Sequence, residues 1–190
     1  MQINFIIRLF VLILCIIPLK HNAFAGPPFL TDDPVPVEYK HWEFYLFSTM
    51  DKTNAENNLQ LPAIEINIGA IPNVQLHFVI PHMIHIPNDG ARTNGLGDIE
   101  TGIKYRFIEE TEHRPQIAIF PLFELPTGNE NRNLGNGRLW VKLPIWLQKS
   151  WGDWTTYGGG GYAINSAPLM KNFLYAGWLL QREFNQKVTL

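Results

Sequence analysis

The ten residues Asp98-Ile-Glu-Thr-Gly-Ile-Lys-Tyr-Arg-Phe107 alternate in character almost without error. Successive side chains of an extended strand point to opposite faces. Asp98, Glu100, Gly102, Lys104 and Arg106 therefore share one face, and Ile99, Thr101, Ile103, Tyr105 and Phe107 share the other. The first face carries two acids and two bases, which an ordinary sheet does not bury; the second is mostly apolar and ends in two aromatics. A wall with hydrocarbon on one side and a polar lumen on the other accommodates both faces.

The same pattern recurs along the chain. His41 to Met50 sets Trp42, Phe44 and Leu46 on one face, and Leu61 to Ile71 sets Ile64, Ile66 and Ile68 against Glu65 and Asn67. Val74 to Pro81 sets Val74, Leu76 and Phe78 against Gln75 and His77. Gln116 to Leu125, Arg138 to Ser150, Trp154 to Ile164 and Asn172 to Phe184 read as further strands, and Val188-Thr189-Leu190 begins another. Connections near Asn73, Glu110, Trp151 and Gln186 are short, whereas those near Asn54, Asp89, Asn131 and Ala167 are long. Sorting of short turns to one end and long loops to the other is the outer-membrane arrangement. Strands of about ten residues tilted near 45° span roughly 23 Å, close to the ~25 Å apolar band of such barrels. The expectation is an all-β chain, an antiparallel transmembrane β-barrel of about eight strands plus the start of a ninth, over residues 41–190. An open strand edge in lipid costs several kcal/mol per unpaired group. A ninth strand barely begun therefore predicts an incomplete barrel, truncated at its C-terminus.

Residues 1–25 read as a cleaved signal peptide. Arg8 precedes the apolar run Leu9 to Ile17, which Pro18, Lys20, His21 and Asn22 break before the small-x-small Ala23-Phe24-Ala25. The run is about half the roughly twenty residues a spanning helix needs, and the expected destination is the outer membrane. Residues 26–40 form an extended Pro-rich lead-in on the periplasmic side, because prolines cannot donate to a ladder. The one cysteine, Cys15, falls in the signal, so the exported chain has no disulfide, thiol nucleophile or cysteine metal site. With Arg8 and Lys20 removed, the 15 basic residues fall to 13 against 17 acidic ones, a balance opposed to nucleic-acid binding.

Motifs for other chemistries are incomplete. After Gly95 and Gly97, position 100 holds Glu100 rather than the third glycine of a dinucleotide fingerprint, and Ile103 stands where a P-loop lysine would. His77, His82 and His85 suggest a metal only weakly, since a spacing of three puts His82 and His85 on opposite faces of a strand. Ser48, Ser150 and Ser166 lack a Gly-x-Ser-x-Gly setting. No catalytic residue, cofactor or metal is expected. The candidate functional residues are the lumen-facing Asp98, Glu100, Lys104 and Arg106. They either order a path for a solute or ion, or form a ladder of salt bridges that fills a narrow barrel. Trp42, Trp140, Trp146, Trp151, Trp154, Tyr157, Tyr162 and Trp178 are expected as interfacial girdle residues.

Several stretches together resemble a known family. These are Thr31-Asp32-Asp33-Pro34 with His41-Trp42-Glu43, then Gly95-Leu-Gly97-Asp98-Ile-Glu-Thr-Gly102-Ile-Lys104-Tyr105-Arg106. They continue with Leu125-Pro126-Thr127-Gly128 and Gly135-Asn136-Gly137, and with Trp146-Leu-Gln-Lys149-Ser-Trp151-Gly152 and Tyr157 to Tyr162. The chain resembles bacterial outer-membrane proteins of the phenol meta-pathway degradation family, also described as transporters. The resemblance implies a β-barrel of a longer chain and carries no catalytic residues. The expected partners are outer-membrane lipid and a small, hydrophobic or aromatic solute that the barrel passes or binds. The rival readings are a non-conducting structural barrel, a lipid-modifying barrel enzyme and a soluble periplasmic β-protein.

Overall fold

The computed structural model describes residues 31–167, 170–185 and 188–189. The expected signal peptide and the first residues of the lead-in lie outside the described residues. Eleven strands form one antiparallel sheet: β1 (Trp42–Lys52), β2 (Glu56–Ile71), β3 (Val74–Pro87), β4 (Thr93–Leu96), β5 (Ile99–Ile108), β6 (Gln116–Ile119), β7 (Leu122–Leu125), β8 (Trp140–Trp151), β9 (Trp154–Asn165), β10 (Phe173–Asn185) and β11 (Val188–Thr189). Both β4 and β5 pair with β3, and both β6 and β7 lie between β5 and β8, so the sheet has eight full positions and a short β11. The chain is all-β, as the alternation predicts. Among the described residues β1 and β11 are the two ends of the sheet and do not pair with each other.

Strand boundaries depart from expectation in an informative way. β2 starts at Glu56 rather than Leu61, and β3 runs to Pro87 rather than Pro81. The polar segments read as long loops are partly paired backbone, with Asn57 opposite Ile86 and Asn58 opposite His85. Ladder hydrogen bonds do not require apolar side chains, so polarity marks where an apolar outer face stops, not where a strand stops. The turn between β1 and β2 shrinks to Thr53–Ala55, where the Thr53 hydroxyl accepts from the amides of Ala55 and Glu56. The expected single strand Gln116 to Leu125 breaks at Phe120-Pro121, because Pro121 has no N–H to give. The Phe120 amide instead reaches the Pro144 carbonyl at 3.3 Å, and the Pro121 carbonyl accepts from Ile103 at 3.2 Å.

The register puts the two kinds of side chain on two faces. Trp42, Phe44 and Leu46 stand opposite Ile68, Ile66 and Ile64, and Glu43, Tyr45 and Phe47 opposite Asn67, Glu65 and Ala63. The distribution of exposure is the reverse of a soluble protein's. Phe44, Leu46, Leu174 and Trp178 are 65 to 81% exposed, while Asn67, Gln75, His77, Lys104 and Gln116 are buried. The buried polar face is concave. Thr31 lies against Gly177 of β10, and its chain neighbour Asp32 reaches Lys104 of β5. In a flat sheet those strands would stand about 19 Å apart, whereas adjacent Cα atoms are about 3.8 Å apart. Only a strongly curled sheet brings both within reach of one dipeptide.

Candidate functional site

The concave face is the candidate site, and it is built by alternation carried across neighbouring strands. Lys104 of β5 stands opposite Gln75 of β3, Gly102 opposite His77, and Glu100 opposite both Val79 of β3 and Glu124 of β7. Asp98, Glu100, Lys104 and Arg106 therefore share this face, and each is engaged by a different part of the molecule.

Glu100 sits at the middle. Its carboxylate takes Lys142 Nζ at 2.6 Å and His77 Nε2 at 3.3 Å. His77 Nδ1 faces Asn67 Oδ1 at 2.7 Å, Gln75 donates to that same oxygen at 2.9 Å, and Asn67 donates to Glu65 at 2.7 Å. The His77 ring meets the edge of Phe120, with centroids 5.3 Å apart and an interplanar angle of 85°. One connected polar layer thus runs from β2 through β3 and β5 to β8. A Cβ at Gly102 would strike Leu122, the Pro121 carbonyl and Phe120, so a glycine is required beside this layer.

Asp98 holds the end with the longer loops. Its two oxygens accept from the backbone amides of Gly128 at 2.8 Å and Asn136 at 2.6 Å. Thr127 adds two bonds on the same strand, donating to the Gly97 carbonyl and accepting from the Ile99 amide. The loop 126–139 contains a single 3-10 turn, Glu130–Arg132, and buries Leu134 against Gly95, Gly97 and Gly128. Asn133 reaches His85 Nε2 at 3.2 Å, and His85 Nδ1 meets Asn58. This loop covers one end of the concavity.

Arg106 ties the opposite end. Its guanidinium donates to Asn73 Oδ1 at 2.6 and 3.1 Å and to Gln116 Oε1 at 3.0 Å. Asn73 and Gln116 in turn donate to Glu109 and Glu110, and Glu110 pairs with Lys149 at 3.0 Å.

Lys104 holds the lead-in. Its expected course is extended and on the periplasmic side; its described part, residues 31–40, lies as a strap against the concave face. Lys104 Nζ sits 3.2 Å from Asp32, 4.0 Å from Asp33 and 4.9 Å above the Phe120 ring. Pro34, Pro36 and Val37 are buried, and the Val37 amide donates to Gln75 Oε1 at 2.9 Å. The strap turns at Lys40, whose amide donates to the Gly69 carbonyl at 2.8 Å. A Cβ at Gly69 would collide with the backbone of Glu38, so a glycine is required at that crossing. Burial pushes the Asp33 carboxyl above its ordinary value, with Lys104 pulling it down and Asp32 and Glu43 adding to the rise.

Three residues expected in the aromatic girdle belong elsewhere, and one of them, Trp140, shares the concave face with Lys142 and stands opposite Glu124. Trp146 and Tyr157 are buried on the concave face, at register positions opposite Ala118 and Gln148. Parity decides this, since Trp146 shares its face with Lys142 and Gln148. Trp42, Trp151, Trp154, Tyr162 and Trp178 are on the exposed side of the burial pattern, and Trp140 lies under Lys142 Nζ at 5.2 Å. Sequence alone leaves out Asp32, Lys142 and Phe120 as members of the site. Lys142 was legible from its alternation with Val141 and Leu143; the Asp32–Lys104 pair, separated by 72 positions, had no local signal.

No protein-family model matches the chain, and no curated protein sequence matches it.

Proposed function

We propose that this chain forms the wall of an outer-membrane β-barrel whose polar interior passes or binds a small solute. The observation that carries the reading is the inverted distribution of side chains. Lys104, His77, Gln75 and Asn67 are buried on one face of the sheet, and Phe44, Leu46, Leu174 and Trp178 are exposed on the other. In water so large an apolar surface would be a liability; in hydrocarbon it is the ordinary outer face of a barrel. The resemblance of the Gly95 to Arg106 segment to outer-membrane transporters supports the same reading, as does the secretory pattern of residues 1–25. A membrane wall also requires partners for the outer edge of β1 and for the far end of the sheet, since lipid offers no hydrogen bonds.

The exported chain should pellet with outer membranes and run faster on a gel unheated than boiled. Recovery in the soluble periplasmic fraction would eliminate the reading. A second reading, a structural barrel that conducts nothing, is favoured by one specific feature. All four lumen-facing charges are engaged by protein partners, and a strap occupies the concavity. Conductance across a planar bilayer separates the two, because a scaffold gives none.

A further inference from the structure

We propose that the concave surface beneath the strap is a binding site for a small monocarboxylic acid with an apolar body, and that residues 31–37 occupy this site until such a solute displaces them. The inference deepens the solute-binding reading and rests on it.

The first ground is the counter-charge of Lys104. Lys104 is 4% exposed, and within ion-pair distance among the described residues its ammonium meets carboxylates from the strap alone, Asp32 and Asp33. The nearest wall acid along the strand, Glu100, is already taken by Lys142 and His77. A buried ammonium stripped of its counter-ion is costly. Whenever the strap leaves, the site recruits another carboxylate or admits water.

The second ground is how lightly the strap is fastened. Pro34 and Pro36 have no N–H, and among the described residues, 31–37 make no backbone-to-backbone bond with the sheet and one amide tie to it, Val37 to the Gln75 side chain. The regular ladder resumes only where Lys40 and His41 meet Gly69. A segment seated without a ladder is separable at modest cost.

The third ground is the shape of the seat. Gly177 of β10 and Gly69 of β2 each lack a side chain where the strap passes, and a Cβ at either would strike Thr31 or Glu38. Beyond the carboxylate head, which meets Lys104 above the Phe120 ring, the strap buries Pro34, Pro36 and Val37, and the Val37 amide rests on Gln75 of the concave face. An acid head followed by an apolar body is what the seat holds now. A solute of the same description satisfies the same contacts.

The test is calorimetric titration of hexanoate, with hexanol as the uncharged control, into the exported chain folded in detergent micelles at neutral pH. Asp32→Asn weakens the latch and leaves Lys104 in place, so hexanoate should bind about tenfold tighter than to the parent, as expected when a competing internal segment is less populated. Lys104→Met should abolish the preference for hexanoate over hexanol, and Lys104→Arg should restore it. Lys104→Gln carries the test should Lys104→Met fail to fold, and should lose the preference likewise. The proposal is overturned if hexanoate binds Lys104→Met or Lys104→Gln as tightly as the parent, or if Asp32→Asn leaves affinity unchanged. Heat-modifiable gel migration of the same samples reports the barrel separately, so loss of the acid site is distinguishable from loss of the membrane reading.

Discussion

The four charges of β5 are neighbours in sequence but do four different things. Asp98 anchors a loop, Glu100 joins His77 to Lys142, Lys104 holds the strap and Arg106 braces the turn at Asn73. Their common face follows from period two and is legible in the sequence. Their partners are not, because strand pairing brings His77, Asn73 and Gln116 close and the curl of the sheet brings Asp32. Replacing Asp98 with Asn removes the charge from two amide bonds at 2.8 and 2.6 Å. Hydrogen bonds to a charged group contribute about 1.5–3 kcal/mol. The loop 126–139 should consequently become a site of limited proteolysis in the variant, at protease levels that leave the parent intact. Asp33 provides a pH test. Its carboxyl titrates above the ordinary 3.8 when the strap is seated, so seating takes up a proton. That contribution to seating is complete below the ordinary value and is lost as the pH rises through the seated one. Protease access to the strap should therefore increase over that interval, and Asp33→Asn should flatten the profile.

At the scale of the element, each strand is specified by its two faces. The apolar outer stripe of β8, Val141 to Leu147, and that of β10, Leu174 to Leu180, are plain in the sequence because period two repeats along each strand. The boundaries of β2 and β3 were less legible, because polar residues at their outer ends pair backbone as well as apolar ones do. The outer stripe predicts a depth effect. Trp178 lies on the outer face of β10, opposite Gly158 of β9, and Gln181 lies on the concave side opposite Thr155. A lysine on the lipid face costs about 2–4 kcal/mol near the bilayer midplane. Trp178→Lys should lower the midpoint of urea unfolding in lipid vesicles by that amount, whereas Gln181→Lys should shift it far less. Equal shifts would mean that β10 does not face lipid.

For the whole molecule, the central question is whether the interior conducts. The loop 126–139 is anchored at Asp98 and the strap at Lys104, so on the proposed reading passage would require the strap to move. Lys104→Glu with Arg106→Glu reverses two inward charges and also repels Asp32 from its seat. In a planar bilayer this pair should raise conductance and shift ion preference toward cations. An unchanged preference would remove both residues from any path.

Alternation in the sequence alone determined that this chain is an antiparallel all-β protein with one polar and one apolar face, and it placed Asp98, Glu100, Lys104 and Arg106 together. These are consequences of period two, a property of each strand by itself. The tertiary structure decided that the polar face is concave and that the proline-rich lead-in threads across it to meet Lys104. Those outcomes depend on the curl of the sheet and on a contact across 72 positions. No local pattern records such a contact, because the distance between two strands exists only once the sheet has bent.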